Sequence, residues 1–460
     1  MKCERSFVPL VTAALVFGWS SSAWSQPQRD WRVRLPVGAS LTAGATGMVV
    51  DKEGLTYVTG ISGSSSNTDI TTAAYGADGS QRWMRTFNGA ANWHDQARGL
   101  ALDPNGILYV VGNTPGPGSY AQVLLLAYDT RSGRLLRTVQ YSSGPMASEH
   151  GASVAVDGGG NVYVAGGTTG DGGDALVLAF DSRGTLLWHR VWDGPASAPY
   201  SQDSALEVLI GTDGNPIVLI HGVMATLHPD YVVLKYGASD GSPICETNWG
   251  VNGEDSPRDM ELDAAGDVYV TGTGLNLRDE FATIKLDGEK GALLWQAYDQ
   301  GGLDDHAAAV AVDNAGGVFI TGSVDPDGDH SNFNDNIMTV RRQAADGSLV
   351  WTRKYGANCI GCYDISADVK IARGRVLVAG ASNSRPYSSD GIVFALDGQT
   401  GVETARYVVP SAFAESTRPK FLRTAGSTLR FGGDFYHGNT GQVDMSIARI
   451  TFGSDPTDPR

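Results

Sequence analysis

The chain repeats itself about every fifty residues. The third copy shows the unit clearly. It reads Glu149, Ser153-Val-Ala-Val-Asp157, Asn161-Val-Tyr-Val-Ala-Gly166, Asp174-Ala-Leu-Val-Leu-Ala-Phe-Asp181, Gly184 and Leu186-Leu-Trp188. Each apolar run is short and ends at Gly or Asp. Val, Ile, Thr, Tyr and Trp recur in these runs and favour strands. The 60 glycines suit tight turns between strands rather than disorder.

A repeat of this length, made of short strands, predicts an all-β fold whose unit is one four-stranded blade of a β-propeller. Strands A to D run from the central channel outward. Asp51, Asp103, Asp157, Asp213, Asp263 and Asp313 mark the A–B turn. Strand B follows, as in Tyr57-Val-Thr-Gly60, Tyr109-Val-Val-Gly112 and Phe319-Ile-Thr-Gly322, down to Leu377-Val-Ala-Gly380. Strand C ends near Gly79, Gly133, Gly184, Gly241, Gly291, Gly347 or Gly401. Four residues on, strand D carries Trp83, Trp188, Trp295 and Trp351, with Arg137, Cys245 and Ala405 in the other copies. A further unit near Arg418 has three strands and no fourth. The missing strand stands at the other end, as Asp30-Trp31-Arg-Val-Arg-Leu35. The expectation is an eight-bladed β-propeller over residues 26–453, closed by the N-terminal strand on the C-terminal blade. Seven blades follow if the last copy is only a cap. Closure removes open sheet edges.

The run Ala155–Trp192 resembles the secreted bacterial β-propeller repeats, and the likeness extends over nearly all of residues 28–453. It implies architecture rather than activity. The stretches ending in Leu186-Leu-Trp188 and Leu293-Leu-Trp295 also resemble the tryptophan-docking repeats of quinoprotein-like propellers. That resemblance implies a quinone-dependent dehydrogenase. Methanol-dehydrogenase-like members carry adjacent cysteines over the quinone, and this chain has no such pair. The periplasmic propeller that helps assemble outer-membrane proteins is similar too, but it is lipid-anchored and Cys3 is not placed for that.

The formal net charge of −16 repels nucleic acid and anionic membranes. Lys2 and Arg5 precede an apolar stretch from Phe7 to Trp19, and Ser21, Ala23 and Ser25 follow. This reads as a signal peptide over residues 1–25, so the protein is expected to be exported, periplasmic or extracellular. The stretch is too short to span a membrane comfortably. Residues 454–460 read as a disordered tail. Export permits disulfides, and Cys359-Ile-Gly-Cys362 is expected to form a local one, leaving Cys245 free.

Two positions are acidic in nearly every copy. The first holds Ala43, Asp95, Glu149, Asp203, Asp255, Asp305, Asp364 and Glu415. The second holds Asp69, Gln122, Asp174, Asp230, Glu280, Asp335, Asp390 and Asp444. Both fall where D–A and B–C loops reach one face. They form either a cation-collecting mouth or a set of caps accepting backbone N–H bonds. Function usually breaks a symmetry, so the irregular residues are the better candidates. His94, His150, His306 and Tyr363 are candidate proton-transfer groups. The alternative reading pairs these histidines with their adjacent acids. Trp93, Arg98, Tyr200, Arg258 and Arg418 are candidate binding residues, the three arginines each lying three residues after the acid. Asp325, Asp327, Asp329 and Asp335 could turn oxygens toward calcium, the one candidate cofactor ion. The chain has no H-E-x-x-H or P-loop. The preferred expectation is a binding protein whose loop face recognises a glycan or an extracytoplasmic protein. The alternative is a polysaccharide lyase or hydrolase.

Overall fold

Four repeats turn on themselves at an Asp-x-x-Gly-x-x-Tyr motif, starting at Asp51, Asp103, Asp157 and Asp263. Asp51 accepts the Leu55 amide at 2.8 Å and the Tyr57 hydroxyl at 3.1 Å. Asp157 and Asp263 hold Tyr163 and Tyr269 in the same way, at 3.0 and 2.9 Å. The glycine between them adopts a positive φ, +82° at Gly54 and +84° at Gly160, which a β-carbon would oppose. The motif therefore fixes a tight A–B hairpin in each copy that carries it.

The computed structural model describes residues 28–451, apart from 36–43, 65, 117, 119, 169–172, 196–201, 225–227, 251–252, 276–277, 326–334, 357–363, 386–387, 410–414, 426–427 and 438–441. The signal region and the C-terminal tail expected from the sequence lie outside these residues. The described elements are strands, with no α-helix among them. Strand β1 (Gln28–Leu35) stands alone at the start. Sheet one holds β2 (Gly44–Val50), β3 (Thr56–Ser64), β4 (Asn67–Tyr75) and β5 (Gln81–Phe87). Sheet two holds β6 (Gln96–Leu102), β7 (Ile107–Pro115), β8 (Ala121–Asp129) and β9 (Leu135–Tyr141). Sheet three holds β10 (Glu149–Val156), β11 (Val162–Thr168), β12 (Ala175–Phe180) and β13 (Leu186–Trp192). Sheet four holds β14 (Ser204–Ile210), β15 (Pro216–Val223), β16 (Pro229–Tyr236) and β17 (Pro243–Trp249).

The next two units are β18 (Ser256–Leu262), β19 (Val268–Leu275), β20 (Asp279–Leu286) and β21 (Leu293–Asp299), then β22 (Asp304–Val312), β23 (Gly317–Asp325), β24 (Asn336–Gln343) and β25 (Leu349–Tyr355). One parallel bridge, Asp279 to Asp304, joins them into a single eight-stranded sheet. We treat them as sheets five and six. Sheet seven holds β26 (Asp364–Ala372), β27 (Arg375–Arg385), β28 (Ser388–Asp397) and β29 (Glu403–Val409). The last sheet holds β30 (Glu415–Ala425), β31 (Thr428–His437) and β32 (Gln442–Thr451), with β1 antiparallel on β32. Trp31 faces Arg449 in that pairing, and Val33 faces Ile447.

The first strands of successive sheets touch in the order β2, β6, β10, β14, β18, β22, β26, β30, and β30 also touches β2. The apolar core lies between sheets rather than within one. Tyr163 and Val177 of sheet three pack with Val218 and Val232 of sheet four. Leu35, Met445 and Ile447 of the last sheet pack with Ala45, Val58 and Tyr75 of the first. Middle strands are thus covered on both faces, and their side chains lose polar alternation: Leu124 to Tyr128 are all buried. Each such Leu or Val stabilises the fold by roughly 1.5–3 kcal/mol.

Tryptophans lock the outer edges. Trp31, Trp83, Trp188, Trp295 and Trp351 each donate Nε1–H to a carbonyl of the next sheet, at 2.8–3.1 Å. Each ring lies over a turn glycine of that sheet, namely Gly79, Gly133, Gly241, Gly347 and Gly401. Arg85, Arg190 and Arg353 fork onto the same turns. Cys245 takes the tryptophan place opposite Gly291 and is free, half-buried rather than fully covered.

Candidate functional site

Every first strand carries a β-bulge near its start, at Thr46, Arg98, Ala152, Leu206, Arg258, Ala308, Ala367 and Lys420. A bulge re-aims the residues around it. The acids of the first position sit just before it. Asp95, Asp255, Asp305 and Asp364 are fully buried, and Glu149 and Asp203 nearly so. Asp95 accepts the Gly89 amide at 2.6 Å, Glu149 that of Ser143 at 2.7 Å, and Asp203 that of Gly194 at 2.9 Å. Asp255 accepts from Leu275 and Asp305 from Gly302, both at 2.9 Å. In return, the amides of Asp95, Asp203, Asp255 and Asp364 donate to Thr68, Gly173, Pro229 and Asp335 of the preceding sheet. These acids are caps that stitch neighbouring sheets. Charge-assisted bonds of this kind contribute about 1.5–3 kcal/mol each.

The second acidic position faces the first across the junction. Burial, and then the Asp255 carboxylate, push Asp230 up to about 6. Burial and Asp95 raise Asp69, and burial and Asp305 raise Glu280. At the junction of sheets two and three the residue at this second position is instead the amide Gln122. There a cavity of about 290 Å³ opens, lined by Tyr120, Gln122, Ser142, Ser143, Gly144, Pro145 and Ala147. Tyr120 is exposed.

The irregular residues are spread along the same edge. Trp93 is 44% exposed, with its ring 5.9 Å from that of His94. His94 Nδ1 lies 3.3 Å from Thr68 Oγ1. His150 stands on β10, where burial and then Arg98 lower its pKa. His306 does not pair with the adjacent Asp305, which is turned inward. Its Nε2 lies 3.0 Å from Asp304 Oδ1 and its Nδ1 2.9 Å from Thr273 Oγ1. Arg98 and Arg258 are exposed bulge residues. Arg418 does not share their place: the last sheet is offset by two residues, so Lys420 occupies the bulge. Arg418 stacks over Tyr436 at 5.1 Å, and Lys420 Nζ binds Asp434 at 2.7 Å. Asp325 is buried opposite Asp304, and the Asp335 carbonyl receives the Asp364 amide. Tyr200, Tyr363, Asp327, Asp329, Cys359 and Cys362 lie outside the described residues.

No family model matches the chain. No curated protein matches it either. Among solved structures it is similar to the quinohemoprotein alcohol dehydrogenase of Comamonas testosteroni, with a TM-score of 0.58, 11% identity, and coverage of 95% of this chain and 78% of that one. A europium-containing methanol dehydrogenase gives 0.55 and 12%, covering 92% and 93%. The WD40 domain of SCAP from fission yeast gives 0.50 and 8%, covering 94% and 99%. The fold is a β-propeller. At these identities the likeness is one of fold. No two cysteines are adjacent in the chain, and Trp83, Trp188, Trp295 and Trp351 are engaged in docking.

The propeller also gathers a set that motif reading missed. The residue after each bulge is Gly47, Gly99, Ser153, Glu207, Asp259, Ala309, Asp368 and Phe421. Ser153, Glu207, Asp259 and Asp368 each accept an amide of the next innermost strand, from Val208, Met260, Val310 and Leu422, at 2.8–3.3 Å. Burial, and then Asp259, hold the Glu207 carboxyl well above its usual range. Burial raises Asp259 to about 6. Burial alone would lower Lys370, but Asp368, Asp259 and Glu261 outweigh it and raise its pKa. Lys370 Nζ lies 3.5 Å from Glu261 and 3.7 Å from Asp368. The variation of this position between copies was the available signal, since the acids of the two regular rings drew attention first.

Proposed function

We propose that the protein is an exported, eight-bladed β-propeller that binds a neutral glycan on its loop face. Closure of the blades by β1 is supported by the β1–β32 pairing, by the contact of β30 with β2, and by the Trp31 hydrogen bond to Ala77. The observation that carries the binding reading is the cavity beside Gln122. It lies at the junction where an amide replaces the recurring acid, and its lining offers hydroxyls, an amide and one exposed tyrosine ring. Sugars are held by such neutral polar groups with an aromatic platform, and a charged wall would cost desolvation. Trp93 offers a second exposed ring on the same face. A lyase would need His, Tyr and Arg converging on one cleft. His94, His150 and His306 instead sit at different sheet junctions, His94 beside Thr68, His150 half-buried near Arg98, and His306 beside Asp304.

A glycan array tests this with the mature protein, Tyr120→Ala and Gln122→Ala. We expect retention of one class of neutral glycan, with at least a tenfold loss for both variants. Absence of any retained glycan, or binding by both variants equal to that of the parent, overturns the reading. Capture of a protein partner without glycan would favour the protein-binding alternative, and unsaturated-product absorbance from acidic polysaccharides would favour the lyase.

A further inference from the structure

One slot recurs at the sheet junctions: the residue before the inner acid meets the residue before the outer acid of the preceding sheet. At the first junction these are His94 and Thr68, 3.3 Å apart. At the second they are Ser148 and Ala121, where the Ala121 amide donates to Ser148 Oγ at 3.1 Å. Both pairs can exist without charge. At the junction of sheets five and six the slot holds two carboxylates, Asp279 and Asp304. The backbone brings them together through the parallel bridge that fuses these two sheets. His306 adds an imidazole. Ligand atoms of Asp279, Asp304 and His306 all lie within 4.8 Å of one another. Thr273 Oγ1 holds the His306 ring at Nδ1, with Nε2 lying 3.0 Å from Asp304 Oδ1.

Two facing carboxylates need a proton or a cation between them. We propose that Asp279, Asp304 and His306 form a divalent metal site of the zinc class on the rim of the propeller. One imidazole nitrogen and two carboxylate oxygens suit zinc, whereas calcium and magnesium favour oxygen alone. Three protein ligands leave a position for water or for an oxygen of a bound molecule. Thr273 is the positioning residue that holds the imidazole. The His306 side chain is 52% exposed, so the ion has a path in. The site stands independently of the glycan reading.

The test is calorimetric titration of the EDTA-stripped full chain with zinc, calcium and magnesium chloride at pH 7.5. We expect one zinc per chain, no comparable binding of calcium or magnesium, and a rise in melting temperature on zinc addition. His306→Gln and Asp279→Asn should each weaken zinc at least tenfold, and Thr273→Val by a smaller factor, while His94→Gln leaves it unchanged. Variants are compared only where the metal-free melting temperature matches the parent. His306→Gln lies on the surface and serves if Asp279→Asn does not fold. Absence of saturable one-to-one binding overturns the proposal. So does zinc affinity unchanged in either folded variant, or lost equally in His94→Gln.

Discussion

The docking of Trp351 on Gly401 makes a prediction that can be worked from the geometry. The ring is nearly buried, its Nε1 donates to Gly398 O at 3.1 Å, and a β-carbon on Gly401 would lie 2.7 Å from ring atom Cδ2. Trp351→Ala should cost about 3–5 kcal/mol, the usual price of truncating a buried Trp. Trp351→Phe keeps a ring but loses the hydrogen bond, so roughly 1–2 kcal/mol is expected. Gly401→Ala suffers twice. Its φ of +67° costs a β-carbon about 1–2 kcal/mol. Displacing the ring adds roughly 1–3 kcal/mol. With the ring already removed only the first cost remains. The double variant Trp351→Ala/Gly401→Ala should therefore be more stable than the sum of its parents by about 1–3 kcal/mol. Urea unfolding followed by far-ultraviolet circular dichroism measures this without relying on tryptophan emission. Melting temperature is a blunt readout here. At roughly 2.1 cal/mol/K per residue each kcal/mol moves the Tm of so long a chain by only about 1 °C. Additivity within about 0.5 kcal/mol would refute the docking argument, as would a Phe variant as damaging as the Ala one.

Other outcomes follow from the junctions. Asp230 and Asp259 stand at about 6 in the fold against an ordinary 3.8. Their stabilisation is complete below the ordinary value and is lost as pH rises through the folded one. Calorimetric scans from pH 4.5 to 7.5 should show this contribution falling, opposite in sign to a salt-bridged acid. Asp255→Asn should weaken that slope by removing the charge that raises Asp230, and should cost about 1–3 kcal/mol as the Leu275 cap weakens. An unchanged slope in the variant would contradict the pairing. Deleting residues 26–35 exposes the edge of β32 and part of the cluster around Leu35. Size-exclusion chromatography should then show self-association, and a monomer of undiminished stability would count against the role of β1.

Sequence alone was enough for the strand unit. The Asp-Gly-Tyr turn, the apolar middle strands and the docking Trp are each local patterns set by backbone sterics and burial, so they repeat legibly. Trp31 even showed where the lone N-terminal strand belonged. The choice between a cation mouth and caps was not legible. An acid reads the same whether it faces water or an amide, and only the packed junction buried Asp95 and Asp305 against glycine amides. Tertiary structure likewise separated Arg418 from Arg98 and Arg258, because a bulge two residues later moves the register without altering the motif. It also brought Asp279 to His306 and Glu207 to Asp259. Those residues lie in different repeats, and the distance between them is fixed by how sheets pack rather than by anything a strand records along its own length.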